Sequence, residues 1–383
     1  MSSATAYRWV LGGTLTMAAA MGVGRFAYTP LLPEMQSAFG WSFAQAGDVA
    51  SANYLGYMIG ALAAPRVLAG PRPFVWLRVS LIAGVLCILP GVFIESFPGW
   101  SVLRLLSGIA SAYCLVITTT LMGQVLLANN QARLANLHFT GVGIGIVLTV
   151  FVTWSGSSVS GQWLSLTILS AALMACAWLL FRTGGSPAEL AVPTRAPATV
   201  PVGFWRLAVG YGCFGFGYVV TATFIVAMAR DIEVSQGIER MTWLLVGVAV
   251  MPSVYLWQKL ADRLGVLAAL RLAYLAEAVG VLIAGWFSST AALLAGGMLL
   301  GGTFAAITAL GLSAARQYAA HDPGGAIGRM TAAFAFGQLV GPAVSGRLAE
   351  SYGGFALPSV VASGLLVLGF ALLIGFPRRG ESE

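Results

Sequence analysis

The sequence predicts an all-α membrane protein of twelve transmembrane helices arranged as two six-helix halves, and three observations carry that expectation. Of 383 residues, 58% are hydrophobic and only 9% are charged, against roughly 25% charged in an ordinary soluble domain. Apolar runs of about 20 residues, long enough to cross a ~30 Å hydrocarbon core as helix, recur along the chain. A proline-rich stretch divides them into two groups of six.

Taken in order, the first six spans lie near 8–33, 43–65, 74–94, 100–125, 134–155 and 161–181, each bounded by Pro, Gly, Asn or charged residues. Span 1 is too long, and too poor in leading charge, to read as a removable secretory peptide. From Thr183 to Gly203 runs TGGSPAELAVPTRAPATVPVG, whose four prolines break any helix. Residues 183–204 are therefore expected to be a cytoplasmic linker between an N-terminal bundle, 1–182, and a C-terminal bundle, 205–383. The second six spans follow near 205–229, 241–260, 267–288, 291–315, 327–349 and 355–376. The connections are short, so the membrane bundle accounts for the whole chain.

Thirteen acids and twenty bases are too few to keep a soluble surface of this size wet. Lipid is the expected partner over most of it. The net charge of +7 comes from single bases scattered between apolar runs, which excludes a nucleic-acid face and reads instead as topology. With the N-terminus inside, fifteen of the twenty bases fall on the cytoplasmic side, among them Arg78, Arg133, Arg182, Arg195, Arg378 and Arg379. That places both termini in the cytoplasm of a multi-pass inner-membrane protein. The four cysteines, Cys87, Cys114, Cys176 and Cys213, lie in apolar runs without metal-ligand spacing and are expected to be small buried thiols; no cofactor or metal is implied.

The two halves repeat each other weakly. Gly22 and Gly24 of span 1 align with Gly215 and Gly217 of span 7 at an offset of 193, as does Arg78 with Arg271. Gly141 and Gly145 of span 5 likewise match Gly337 and Gly341 of span 11. Parallel halves joined by a linker suit alternating access.

The segment GVGRFAYTPLLPEM, residues 22–35, closely resembles the first-helix signature of the YbfB/YjiJ branch of the major facilitator superfamily. Leu260-Ala261-Asp262-Arg263-Leu264-Gly265 is similar to the superfamily's loop motif. RLLSG, from Arg104 to Gly108, resembles its fourth-helix motif, and Gly337-Gln338 with Gly341-Pro342 the branch's eleventh-helix pattern. The resemblance implies the major facilitator fold and a monomeric, proton-coupled transporter of a small solute. Two departures stand out: Ala64-Pro65 replaces the Asp and Arg expected after span 2, and GVGIGI in span 5 lacks the Gly-Pro pair of drug/proton antiporters.

Scarce intramembrane charges set the site candidates. Arg25, about 25 Å beyond Arg8 on a straight helix, either snorkels outward, latches to Glu34 or Asp48, or projects into the central cavity to bind an anion bidentately. Arg104 shares a helix face with Gly108; the resemblance implies gating or proton coupling, with a structural hydrogen bond as the alternative. Glu277, about ten residues into span 9 with no charge adjacent in sequence, is expected to be protonated or paired and is a coupling candidate, while Asp262 and Arg263 at the membrane edge are expected to favour one conformational state. Polar and aromatic residues near the midplane, Asn53, Tyr54 and Tyr57, Tyr113, Tyr218 and Thr221, Thr303 and Gln338, complete the expected substrate-binding set. His138 reads as an interfacial residue and His321 as an inert loop histidine. An intramembrane enzyme is disfavoured because a Gly-x-Ser-Gly pattern, paired membrane aspartates in a Gly-Asp motif and a His-Glu-x-x-His site are missing. A sensor or scaffold that keeps the transporter fold stands as the alternative to transport.

Overall fold

A computed structural model describes residues 3–70, 72–131, 134–154, 158–183, 202–232, 236–319 and 323–375. Span 1 consists of α1 (Ser3–Met17), a π-helical stretch (Ala18–Val23) and α2 (Tyr28–Phe39). Spans 2 to 6 are α3 (Phe43–Leu68), α4 (Pro73–Leu86), α5 (Phe97–Ala128), α6 (Thr140–Thr153) and α7 (Val159–Thr183). Spans 7 to 12 are α8 (Val202–Asp231), α9 (Gln236–Leu264), α10 (Val266–Trp286), α11 (Thr290–Tyr318), α12 (Pro323–Tyr352) and α13 (Ala356–Leu372). Eight of these stretches are long and apolar enough to cross a membrane, and α13 and the stretch Leu137–Thr153 that contains α6 are apolar but shorter. The remaining two, α3 and α12, carry Asn53 and Gln338 in their midsections. Almost all of the expected linker lies outside the described residues, as do Arg133, Arg195, Glu233, His321, Arg378 and Arg379.

The chain falls into two compact units, one comprising Met1–Trp41 and Ala52–Pro193, the other Ser42–Ser51 and Thr194–Glu383. In the first, α1 packs on α5 and α7, the π-helical stretch on α6, and α4 on α5 and α7. The second pairs its spans in the same pattern: α8 with α12 and α13, α10 with α11 and α13, and α9 with α11.

Lipid removes most of the hydrophobic drive between helices, so close approach through small residues has to supply the packing. Here the sequence offset of 193 becomes spatial. A Cβ on Gly108 of α5 would sit 2.0 Å from the Asn53 carbonyl oxygen of α3; on Gly301 of α11 it would sit 2.3 Å from that of Val246 in α9. Both residues of the second crossing are the first pair shifted by 193. Likewise Gly22 meets Gly145 across the span 1 and span 5 crossing, and Gly337 meets the Gly212 carbonyl across the span 7 and span 11 crossing. Glycine thus packs the same two crossings in each unit, although Gly215, the residue aligned with Gly22, meets the Phe334 carbonyl rather than a glycine.

Span 1 departs from the single helix expected at 8–33. The Gly24 and Phe26 N–H groups reach back five residues, to Ala19 and Met21, and residues 24–27 form a turn before α2 begins. Pro30 is the physical cause on the far side: it offers no N–H to the Phe26 carbonyl, which takes Thr29 N–H instead at 3.3 Å. The straight-helix rise from Arg8 to Arg25 is corrected accordingly. A second correction concerns the cysteines. Cys114 is buried, but Cys87 and Cys213 are half-buried and Cys176 is exposed on α7, because an apolar run in a membrane protein shows one face to lipid.

Candidate functional site

The break in span 1 organises the first unit's polar centre. Arg25 sits in it, 3% exposed, with its guanidinium 4.5 Å from the ring centre of Tyr54 and 4.3 Å from that of Tyr57. Tyr54 and Tyr57 lie three apart on α3 and so present adjacent faces. Two aromatic faces suit a planar, weakly hydrated guanidinium and fix its orientation inside an apolar unit. Of the two acids named for the latch, Glu34 accepts Gln162 Nε2 at 2.5 Å and Asp48 pairs with Arg347 at 2.7 Å.

Arg104 closes the break. Its Nη1 and Nη2 donate to the Gly24 and Arg25 carbonyls, each at 3.0 Å, and its guanidinium lies 5.0 Å from the Tyr28 ring centre. The turn at 24–27 takes these carbonyls out of the regular helical ladder, and a buried carbonyl needs a donor. A forked cation from α5 supplies two at once. Asn53 then ties α3 to the same corner, its Nδ2 donating to the Arg104 carbonyl and to Ser107 Oγ, both at 2.9 Å. Asn53 is thus engaged in helix packing.

In the second unit the residue 193 positions after Arg25 is Tyr218. Its hydroxyl accepts from Gln338 Nε2. Its ring is nearly parallel to Phe304 at 5.5 Å and to Phe334 at 5.8 Å, with interplanar angles of 8° and 2°. Phe214 adds a further ring at 5.0 Å from Tyr218. Phe304 and Phe334 were not among the sequence candidates. Phe304 directly follows Thr303, and Phe334 lies one turn before Gln338 on the same face, which is the signal that would have found them.

The structure also joins Glu277 of α10 to Thr303 of α11. Both are buried, and the Thr303 hydroxyl contacts Glu277 Oε2 while lying 2.6 Å from the Leu299 carbonyl. That hydroxyl carries one proton for two acceptors, so a proton on the carboxyl satisfies both contacts. Glu277 Oε1 has no hydrogen-bond partner among the described residues.

Other candidates lie elsewhere. Tyr113 stacks on Trp76 of α4, ring centres 6.2 Å apart, rather than joining Arg25. Asp262 accepts from Gln258 and is exposed, as is Arg263; the chain then turns through Gly265, whose φ of +87° favours glycine. His138 is fully buried rather than interfacial. Its ring nitrogens meet Thr119 Oγ1 at 2.9 Å and the Ala135 carbonyl at 2.6 Å, because the 3-10 turn at Leu137–Phe139 folds it under α6.

A family model described as an uncharacterised MFS-type transporter, YbfB, matches residues 17–374. A chloramphenicol resistance protein from Streptomyces lividans is 29% identical over 150 residues, covering 38% of this chain and 36% of that protein. The matched stretch thus spans about a third of that relative's length. Among solved structures, the nucleoside transporter NupG superposes with a TM-score of 0.68 at 14% identity, covering 98% of this chain and all of that one. A bacterial homolog of the human lysosomal transporter Spinster gives 0.70 at 15% identity, covering 97% of each chain.

Proposed function

Because the chain belongs to the YbfB-type family of major facilitator superfamily membrane transporters, we propose that it is a secondary active transporter of a small organic anion. It works by alternating access in the bacterial inner membrane, as a monomer with both termini in the cytoplasm, and draws its energy from protons.

The observation that carries the anion reading is Arg25: a guanidinium held between two tyrosine rings, inside a broken helix of an apolar unit. A cation kept there at several kcal/mol of desolvation cost is useful when it recognises a complementary charge. A planar fork matches a carboxylate or a phosphate oxygen pair. The repeat supports assigning that role to the first unit, since its counterpart Tyr218 carries no charge. Tyr54, Tyr57 and Arg104 hold the recognising group in place.

Glu277 with Thr303 is the proton site of this reading. A buried carboxyl that shares one hydroxyl proton with a backbone carbonyl can take up and release a proton with little movement of heavy atoms. Positive-inside charge placement supports the orientation.

Reconstitution tests the function. Proteoliposomes carrying the purified chain, supplied with labelled mono- and dicarboxylates, are expected to accumulate at least one of them when a pH gradient is imposed and to lose it when the gradient is collapsed. Flux that never depends on the gradient would remove proton coupling, and the absence of flux across the carboxylate panel would remove the anion reading.

A further inference from the structure

A second site lies on the outer face of the first unit, away from Arg25. Helices α4 and α7 run antiparallel there and leave a groove of about 490 Å³ lined only by apolar side chains, among them Ile82, Val85 and Leu86 of α4 and Ala171, Ala175 and Leu179 of α7. Buried Leu81 of α4 and Met174 of α7 make its floor. Ile82, Leu86 and Leu179 on its walls are each more than half exposed, which is the exposure of side chains that meet lipid.

The groove does not end in hydrocarbon. Leu81 and Trp178 are shared with a smaller cleft bordered by Arg78 and Arg182, both exposed. Arg78 lies 5.1 Å over the Trp178 ring, which holds its guanidinium at the mouth of the groove. Arg182 is one helical turn beyond Trp178 on α7 and so arrives at the same end. From Arg78 to Leu86 the groove follows eight residues of α4, roughly 12 Å at ~1.5 Å per residue. That is close to the ~15 Å of one leaflet, half of a ~30 Å hydrocarbon core.

We propose that this groove binds one anionic phospholipid, with an acyl chain along α4 and α7 and its phosphate between Arg78 and Arg182. Two cations at one end of a wholly apolar channel, at the spacing of a headgroup from its chain, match that chemistry and no uncharged occupant. The site stands independently of the transported solute. A zwitterionic lipid brings the same phosphate with its charge already balanced by the headgroup's own cation and so gains less from the two guanidinium groups, and a neighbouring apolar helix would gain nothing from them.

Native mass spectrometry of the delipidated full chain, titrated with phosphatidylglycerol or with phosphatidylcholine of the same chains, tests it. At about fivefold per guanidinium near the membrane surface, the pair should favour phosphatidylglycerol by roughly 25-fold. The double variant Arg78→Gln with Arg182→Gln should lose that preference and keep its melting temperature, while Lys259→Gln with Arg316→Gln, two exposed bases of the second unit, should keep it. Ala175→Trp, which fills the groove, should displace the tightly held lipid of either kind. Equal binding of the two lipids by the unaltered chain overturns the proposal, as does a preference that survives in Arg78→Gln with Arg182→Gln. So does a dimer that Ala175→Trp splits into monomers without changing the lipid adducts, because the face would then belong to a second copy.

Discussion

Replacing Arg104 by lysine keeps the charge and removes the fork. The guanidinium donates to two carbonyls at 3.0 Å each, whereas an ammonium on a shorter reach can serve one. A hydrogen bond from a charged donor contributes ~1.5–3 kcal/mol in soluble proteins, and interhelical bonds inside membranes average nearer ~0.6. The lost bond, plus one buried carbonyl left in the span 1 turn without its donor, gives a central expectation of about 2–3 kcal/mol. That lowers the melting midpoint of the detergent-purified protein by roughly 5 °C, taking ~2 °C per kcal/mol for a chain of this size. The damage should also be local. Amide hydrogen exchange in a peptide covering Arg25 to Met35 should rise, while peptides of α10 and α11 stay protected. If Arg104→Lys melts within ~1 °C of the unaltered protein and exchange across the turn is unchanged, the fork is not what closes the break. Arg104 would then be a charge-handling residue with a dispensable geometry.

The packing glycines give a paired expectation: Gly108→Ala and Gly301→Ala each place a methyl 2.0 or 2.3 Å from a backbone oxygen. Each should cost about 2 kcal/mol or more by thermal melting, because backbone cannot yield as a side chain can. Gly123→Ala on α5 meets nothing within 4 Å and should stabilise by about 0.4–1 kcal/mol, provided the helix tolerates the methyl in lipid. Glu277→Gln preserves shape and a hydrogen bond to Thr303, so melting should hold while pH-driven accumulation in proteoliposomes disappears and substrate counterflow persists. Accumulation that survives Glu277→Gln would take the proton site elsewhere. Asp48→Asn breaks an exposed ion pair with Arg347, whose side chain is 56% exposed. It should cost less than ~1 kcal/mol, and a double-mutant cycle with Arg347→Gln should show a coupling that fades in high salt.

Eight of the twelve spans were legible from length and hydropathy alone; the two short ones and those interrupted by Asn53 and Gln338 were legible because Pro, Gly and charged residues bound them in a repeating order. The repeat was legible only as scattered glycines. Its meaning came from space, where Gly108 against Asn53 and Gly301 against Val246 occupy equivalent crossings. The break in span 1 was written in Pro30, but a proline near one end of a long apolar run is also compatible with an intact helix, and the π-helical turn leaves no compositional mark. Arg25, Arg104 and Glu277 stood out because charge is rare inside the spans. Their partners did not. Tyr54 and Tyr57 were readable as neighbours on one helix, while Tyr28 beneath Arg104 and the rings of Phe304 and Phe334 look like ordinary apolar bulk until three helices are brought together. Tyr113 was hidden for the same reason: a half-buried tyrosine stacked on Trp76 has the same sequence context as one beside Arg25.

The most direct test of the central claim is carboxylate binding measured on the unaltered protein, Arg25→Lys and Arg25→Ala in parallel, by thermal shift across a panel of aliphatic and aromatic acids. A charge-assisted contact of ~1.5–3 kcal/mol corresponds to more than tenfold in affinity. An acid that stabilises the unaltered protein should therefore do so weakly with Arg25→Lys and not at all with Arg25→Ala. An acid that stabilises all three equally would contradict the assignment of anion recognition to Arg25.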